Sequence, residues 1–369
     1  MKIDDKTSHN SPSIRFPEFT GEWEKCKIED ITDAVSSGKS KNHFSNGEYN
    51  LYGSTGIIGR TDKALYDGKL VLVARVGANA GFLQIINEPC GITDNTLILK
   101  PKGIDAFYLY YFLQHFNLNR LIFGSGQPLI TGGMLKKVKV SLGTISEQSK
   151  IVKFLSLLDE RIATQVRLIE DLKKFKCAIV EKLYSEIQGK EYSYRQLFEI
   201  INERNSRLEY SNVLSASQEK GMVNREDLNL DIKFELSNIN TYKIVREGDY
   251  VIHLRSFQGG FAFSNMVGVC SPAYTIMRPK KLLEYGYLSY YFTSRKFIKS
   301  LIIVTYGIRD GRSINVDEWL DMKNIIPSKE QQQHILRTIK GFENKIEVEE
   351  MYASCLSKQK QYLLRQMFI

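Results

Sequence analysis

The chain carries one pattern twice, 184 residues apart, and that pattern allows few folds. Over Glu147–Ile187, the apolar residues Ile151, Leu155, Leu158, Ile162, Ile169, Leu172, Ile179 and Leu183 follow one another at spacings of four and three. Polar residues interrupt this seam only at Gln165 and Lys176. One repeat later stand Ile335, Ile339, Phe342, Ile346, Ala353, Leu356, Leu363 and Met367, apolar at every step, and the interruptions recur as Glu349 and Lys360. A 4-3 seam sustained over more than three heptads is the pattern of coiled-coil helices. Each lies behind a block of similar size. The expected fold is therefore α+β: two pseudo-symmetric β-rich heads with some helices, joined by two long helices that form an antiparallel coiled coil.

The boundaries follow from the same pattern. Residues 1–12 are polar and read as a disordered lead-in rather than a signal peptide. The first head is expected over 13–144, the first spacer helix over 145–188 with Gly189 as its stop, the second head over 189–327, and the second spacer helix over 328–369. At 369 residues, two cores are expected rather than one. Hydrophobic content of 43% and charged content of 25% are ordinary for a globular chain, and no apolar run is long enough to cross a bilayer. Cys26, Cys90, Cys177, Cys270 and Cys355 are scattered, with no paired spacing, which suggests reduced thiols in the cytoplasm. The five histidines have no metal-ligand spacing either. A net charge of +9 favours a polyanionic partner without identifying one.

The heads repeat one another loosely. Asp67-Gly68-Lys69-Leu70-Val71 is echoed by Glu247-Gly248-Asp249-Tyr250-Val251, Arg75 by Arg255, Lys100-Pro101-Lys102 by Arg278-Pro279-Lys280, and Tyr108-Leu109 by Tyr287-Leu288. The offset drifts between 178 and 184, so the heads tolerate insertions that the helices do not. Two recognition modules for different targets would look this way, and so would duplication followed by drift in unselected loops. Strand-like runs are expected at Leu70–Val76, Gly81–Ile86, Asn95–Lys100, Val138–Leu142 and Met322–Ile326, with an aromatic helix at Ala106–Phe116.

No route to catalysis is complete. Val35-Ser36-Ser37-Gly38-Lys39-Ser40 ends like a phosphate loop, but Asp33 stands where the first glycine is required. Gly53-Ser54-Thr55-Gly56-Ile57-Ile58-Gly59 has the wrong glycine spacing for a dinucleotide cradle and reads as a turn. There is no nucleophile elbow and no HExxH pair. Also missing are a Pro-Asp dipeptide of the nuclease type and an Asn/Asp-Pro-Pro-Tyr run of the amino-methyltransferase type. Such a chain recognises rather than reacts.

Several segments resemble the specificity subunits of type I DNA restriction-modification systems. They are Arg15-Phe16-Pro17-Glu18-Phe19-Thr20-Gly21-Glu22-Trp23, Gly124-Ser125-Gly126-Gln127-Pro128-Leu129-Ile130, Glu147-Gln148, and Ser328-Lys329-Glu330-Gln331-Gln332. Leu254-Arg255-Ser256-Phe257-Gln258-Gly259-Gly260 with Ser271-Pro272-Ala273-Tyr274-Thr275 resembles a recurring type of target-recognition domain. The resemblance runs along nearly the whole chain. It implies double-stranded DNA read by both heads, with the helices setting the gap between half-sites. It also implies two modification subunits that hold S-adenosylmethionine and methylate adenine N6, and restriction subunits that use ATP and Mg for translocation and cleavage. No cofactor, metal or catalytic centre is implied for this chain itself. Asn95-Thr96-Leu97-Ile98 in the first head departs from the Ala-Tyr-Thr of the second, so contacts do not transfer from one head to the other.

On this reading the DNA contacts are long donors in glycine-bearing loops, because Arg and Lys suit guanine edges or phosphates while Asn and Gln suit adenine edges. The first head offers Lys39, Lys41, Asn42, Ser54, Arg75, Asn79 and Gln127, and the second Ser217, Gln218, Lys220, Arg255, Gln258, Arg309 and Arg312. For Arg75 and Arg255 a shared salt bridge holding the loop is the alternative. Tyr108, Tyr110, Tyr111 and Phe112, with Tyr287, Tyr290, Tyr291 and Phe292, are expected to pack a helix on each head rather than to stack on bases. About 40 residues at roughly 1.5 Å per residue make a spacer helix of roughly 60 Å, enough to reach between half-sites one DNA turn apart. In an antiparallel pair, the register that matches Lys176 with Glu349 also matches Gln165 with Lys360, and these two polar layers are expected to fix orientation. The alternative is that both lysines snorkel outward. A different class of function, a coiled-coil adaptor whose heads bind proteins, is the runner-up, ahead of a self-sufficient nuclease or methyltransferase.

Overall fold

The computed structural model describes residues 10–41, 47–122, 126–217, 220–228, 236–253, 260–306 and 313–369. The chain divides into two compact units. The first holds residues up to Arg167 together with Glu350–Ile369, and the second holds Leu168–Glu349. The two long helices, Ile145–Ser185 and Lys329–Met367, are each shared between them.

In the first unit, strand Glu24–Lys27 pairs antiparallel with Lys139–Leu142, so the start and end of the head lie side by side. Between them, Thr32–Ser37, Thr96–Pro101, Lys69–Ala74 and Leu83–Asn87 form a four-stranded antiparallel sheet in that spatial order. Lys69–Ala74 is central and almost wholly apolar, which suits a strand covered on both faces. On one face lies the expected aromatic helix, Ala106–Phe116, its start capped by the Asp105 carboxylate accepting from the Phe107 and Tyr108 amides. The segment expected to be a turn, Gly53–Gly59, is the tip of a hairpin between Tyr49–Gly53 and Gly56–Thr61.

The second unit repeats the plan. Lys190–Ser193 pairs with Lys323–Ile326, and Phe198–Ile201, Thr275–Pro279, Tyr250–Ile252 and Phe261–Phe263 form the matching four-stranded sheet. A hairpin, Leu214–Ser217 with Gly221–Asn224, occupies the place of the first head's hairpin. Its aromatic helix is shorter, Tyr287–Tyr291, because Ser294 starts a new helix by capping the Phe297 amide. Tyr108, Tyr111, Phe112, Tyr287, Tyr291 and Phe292 are all buried, as expected of packing residues. Tyr194 stacks on Trp319 at 4.3 Å between ring centroids at the centre of the second core.

Every apolar seam position of both helices is buried or half-buried. Each helix starts on a hydroxyl cap, Thr144 accepting from the Glu147 amide and Ser328 from the Gln331 amide. Within the first unit, Ile151 and Leu155 share a core with Leu364, Met367 and Phe368. Within the second, Val180 and Tyr184 share one with Ile335, Leu336 and Ile339. The helices therefore run antiparallel in each unit.

The register differs from the expected one. The Lys176 ammonium donates to Glu343, at 3.2 Å, and Lys360 lies 2.6 Å from Asp159, each partner six residues before the expected Glu349 or Gln165. Glu349 also pairs with Lys345 one turn away, and Gln165 is buried. The apolar end layers decide this outcome. Burying a large apolar side chain is worth about 1.5–3 kcal/mol, more than a half-exposed polar pair, so the register follows Ile151, Leu155, Val180 and Tyr184. Gly189 also has another role than a helix stop. The helix ends at Ser185, and a Cβ on Gly189 would lie 2.2 Å from the Ile326 carbonyl oxygen, so the residue permits close strand approach.

Candidate DNA-recognition surface

In the first head, the C-terminal end of the central strand Lys69–Ala74 delivers Arg75 to a loop surface. Its amide donates to the Asn95 carbonyl and its carbonyl accepts from the Ile130 amide. The guanidinium donates to Ser37 Oγ over a long 3.4 Å, and its Nε is buried without a partner. Among the described residues no carboxylate pairs with it. Among the described residues the salt-bridge alternative for Arg75 therefore finds no partner.

Three candidates converge here. Ser54 Oγ, at the hairpin tip, donates to the same Asn95 carbonyl at 3.3 Å, while Gln84 Nε2 donates to the Gly53 and Ser54 carbonyls and fixes that tip. Gln127 is exposed, and its Nε2 would lie 3.8 Å from a Cβ on Gly77, whose φ of +79° suits glycine. The Gly77 amide donates to the Pro128 carbonyl, closing the loop around Arg75. Lys39 and Lys41 are exposed just beyond the strand that ends at Ser37, on either side of buried Ser40, whose Oγ accepts from the Ile92 amide. Asn79 is exposed elsewhere, on a shallow pocket of about 290 Å³ with Gln114, Asn117 and Asn119. Asn42 lies outside the described residues.

Sequence reasoning missed Ser37 and Asn95, which frame Arg75. Asn95 was visible as a departure between the heads, yet nothing in its spacing marked it as the shared hub.

In the second head, Ser217 and Lys220 lie at the tip of the hairpin Leu214–Asn224, with Ser217 Oγ accepting from the Lys220 amide at 3.3 Å. Gly221 there has a φ of +73° and passes so close to the Phe263 carbonyl oxygen that a Cβ would sit 2.4 Å away. His253 stacks on Tyr274, ring centroids 5.5 Å apart, and the Lys243 ammonium donates to the Tyr274 carbonyl at 2.8 Å. Burial lowers the Lys243 pKa and raises that of the Tyr274 phenol. His253 carried no sequence signal. Gln218, Arg255, Gln258, Arg309 and Arg312 lie outside the described residues. Arg278, an echo of Lys100, is not a free cation: it makes two bonds of 2.9 Å to buried Asp249.

The residues of the N-terminal signature belong to a structural lock. Glu147, fully buried, accepts from Arg15 Nε at 2.6 Å, from Arg15 Nη2 at 2.8 Å and from Trp23 Nε1 at 3.1 Å. Gln148 and Gln332 play matching parts, each donating to the carbonyl five residues earlier, Gly143 at 2.9 Å and Pro327 at 3.1 Å.

Each unit thus carries a four-stranded sheet with polar donors in the loops at one edge. Residues 20–174 match the model of the type I restriction modification DNA specificity domain. Two type I restriction enzyme specificity subunits of Methanocaldococcus jannaschii, putative MjaX and MjaVIII, are each 24% identical. The matches cover 73% and 80% of this chain and 69% and 77% of theirs. A crystal structure of the type I restriction-modification S subunit of M. genitalium aligns over 97% of this chain and 99% of its own, with 16% identity and a TM-score of 0.56. A chain from work on complex assembly and conformational transition of the type I R-M system aligns over 94% and 97%, with 12% identity and a TM-score of 0.61. Residues 20–174 thus match the specificity-domain family, and the chain as a whole shares the fold of type I restriction-modification S subunits.

Proposed function

We infer that this chain reads a bipartite, asymmetric double-stranded DNA site, one half with each head, and thereby directs adenine-N6 methylation and restriction by partner subunits. The observation that supports the reading is that Arg75 and Ser54 meet at the Asn95 carbonyl, with Gln127 beside Gly77 in the adjoining loop, and that among the described residues no carboxylate pairs with Arg75. Heads with unlike loops read unlike half-sites. The target-recognition domains span 13–144 and 189–327, each followed by a spacer helix, 145–188 and 328–369. Two modification subunits supply S-adenosylmethionine, and restriction subunits supply ATP and Mg chemistry, so this chain binds no cofactor itself. The assembly acts in the cytoplasm, where its DNA is; no helix among the described residues is long and apolar enough to cross a membrane.

Lys39, Lys41, Asn79 and Lys220 are suited to phosphates, whereas Arg75 and Gln127 are suited to base edges. Anisotropy titrations of the assembled methyltransferase on cognate duplex should show affinity falling steeply with salt. Arg75→Ala should cost about 1–3 kcal/mol on the cognate site and relax one of its positions. Binding that ignores salt and the substitution alike would refute the assignment.

A further inference from the structure

Each aromatic helix ends its packing role in a polar contact that repeats across the pseudo-symmetry. In the first unit, the Tyr111 hydroxyl donates to Asp159 Oδ2 at 2.8 Å, and Asp159 Oδ1 pairs with Lys360 Nζ at 2.6 Å. Lys360 also lies over the Tyr111 ring, 5.3 Å from its centroid, and Ser156 Oγ sits 3.2 Å from the same hydroxyl. In the second unit, the Tyr290 hydroxyl donates to Glu343 Oε2 at 2.7 Å, and Glu343 Oε1 accepts from Lys176 Nζ at 3.2 Å. Asp159 and Glu343 are 184 residues apart, as are Lys176 and Lys360. In both units the tyrosine comes from the head, the carboxylate from the long helix that follows that head, and the lysine from the other helix.

The rest of the head-to-helix contact combines apolar packing, by Leu155, Leu364 and Met367 in one unit and Val180, Ile335 and Ile339 in the other, with polar ties at the helix starts, Arg15 and Trp23 to Glu147 and Gln332 to Leu282 and Glu284. Apolar burial is non-directional and tolerates small rotations. A carboxylate that spends one oxygen on a tyrosine and the other on a lysine is directional, and it engages three elements at once. The lysine side chains are 15% and 29% exposed, so water competes weakly for them.

We propose that the Tyr111–Asp159–Lys360 and Tyr290–Glu343–Lys176 clusters are positioning joints that fix the pose of each head on the helix pair, and so fix the number of base pairs accepted between the two half-sites. This rests on the DNA-reading function inferred above. Adding one base pair between half-sites displaces one by about 3.4 Å and turns it by roughly 35°, a change that a loosened head could follow and a keyed one could not. The tyrosines stay protonated donors, since burial raises both phenols well above their ordinary range.

The test uses the assembled methyltransferase with Tyr111→Phe, Tyr290→Phe or both, which remove the hydroxyl and keep the ring. Methylation is read on a duplex library in which the cognate half-sites are separated by the wild-type spacer or by one or two base pairs more or fewer. The expected result is at least a ten-fold gain, relative to the cognate spacer, on a spacer changed by one base pair, with unchanged half-site preference. Equal scaling of all spacers, or no change, would show that the clusters are structural only and overturn the proposal. Absence of any two-part site for the wild-type complex would remove the DNA reading itself, and the proposal with it. Asp159→Asn and Glu343→Gln provide a second pair of variants: they should broaden the spacer profile in the same direction.

Discussion

The Arg15–Glu147 lock yields a prediction whose size follows from its burial. Glu147 is fully buried at the start of the first long helix and takes three hydrogen bonds, two of them from a single guanidinium. Arg15→Ala strands this carboxylate, and an uncompensated buried charge costs about 3–5 kcal/mol. Glu147→Gln added to Arg15→Ala removes the charge, retains an acceptor for Trp23, and should recover at least about 2 kcal/mol. The chain has two tryptophans, Trp23 in the first unit and Trp319 in the second, so 5-fluorotryptophan labelling gives one 19F signal for each. With a urea slope of about 1–3 kcal/mol per molar, Arg15→Ala should lower the Trp23 midpoint by roughly 1–5 M and the Trp319 midpoint by less. If the double variant is additive within about 0.5 kcal/mol, the charge pairing carries no stability and the reasoning fails.

Other residues give sharper local tests. Gly221→Ala, at positive φ with its Cβ against the Phe263 carbonyl, should cost at least about 2 kcal/mol, whereas Gly68→Ala, at positive φ with open space around it, should cost only about 1 kcal/mol; urea denaturation of both compares them. Burial pushes the Cys90 thiol up to about 11, so iodoacetamide mapping by mass spectrometry at pH 8 should label exposed Cys177 and Cys355 well before Cys90. Burial, with the charge of Arg120, holds the His115 pKa below its ordinary 6.5. The unfolded chain therefore takes up that proton first, so stability of the first unit falls as pH drops below about 6.5. His115→Gln should shrink the loss of Trp23 midpoint between pH 7.5 and 5.5, and an unchanged loss would assign it to other groups.

The parts of the fold that follow from periodicity were legible in the sequence. The 4-3 seam marks its buried positions, and the aromatic helix runs from Ala106 to Phe116 as its pattern indicates. What periodicity does not contain is register. Lys176 and Glu349 match as seam positions, yet apolar layers at Ile151 and Tyr184 slide the helices so that Lys176 meets Glu343. Long-range polar pairs were equally out of reach. Arg15 and Glu147 were visible as parts of a family signature, but their contact bridges 132 residues and no local rule links them. At the recognition surface, Arg75 and Ser54 were named for their loop chemistry. Their convergence on Asn95 depends on a hairpin tip, a strand end and a turn meeting in three dimensions.

The central claim is that this chain chooses the DNA sequence its complex modifies. Single-molecule sequencing of DNA from cells expressing the chain with its modification subunit, beside cells lacking only this chain, measures that choice directly. The account predicts a two-part, asymmetric adenine-methylation motif that disappears with the chain. Identical methylation in both, with the modification subunit present and active, would contradict it.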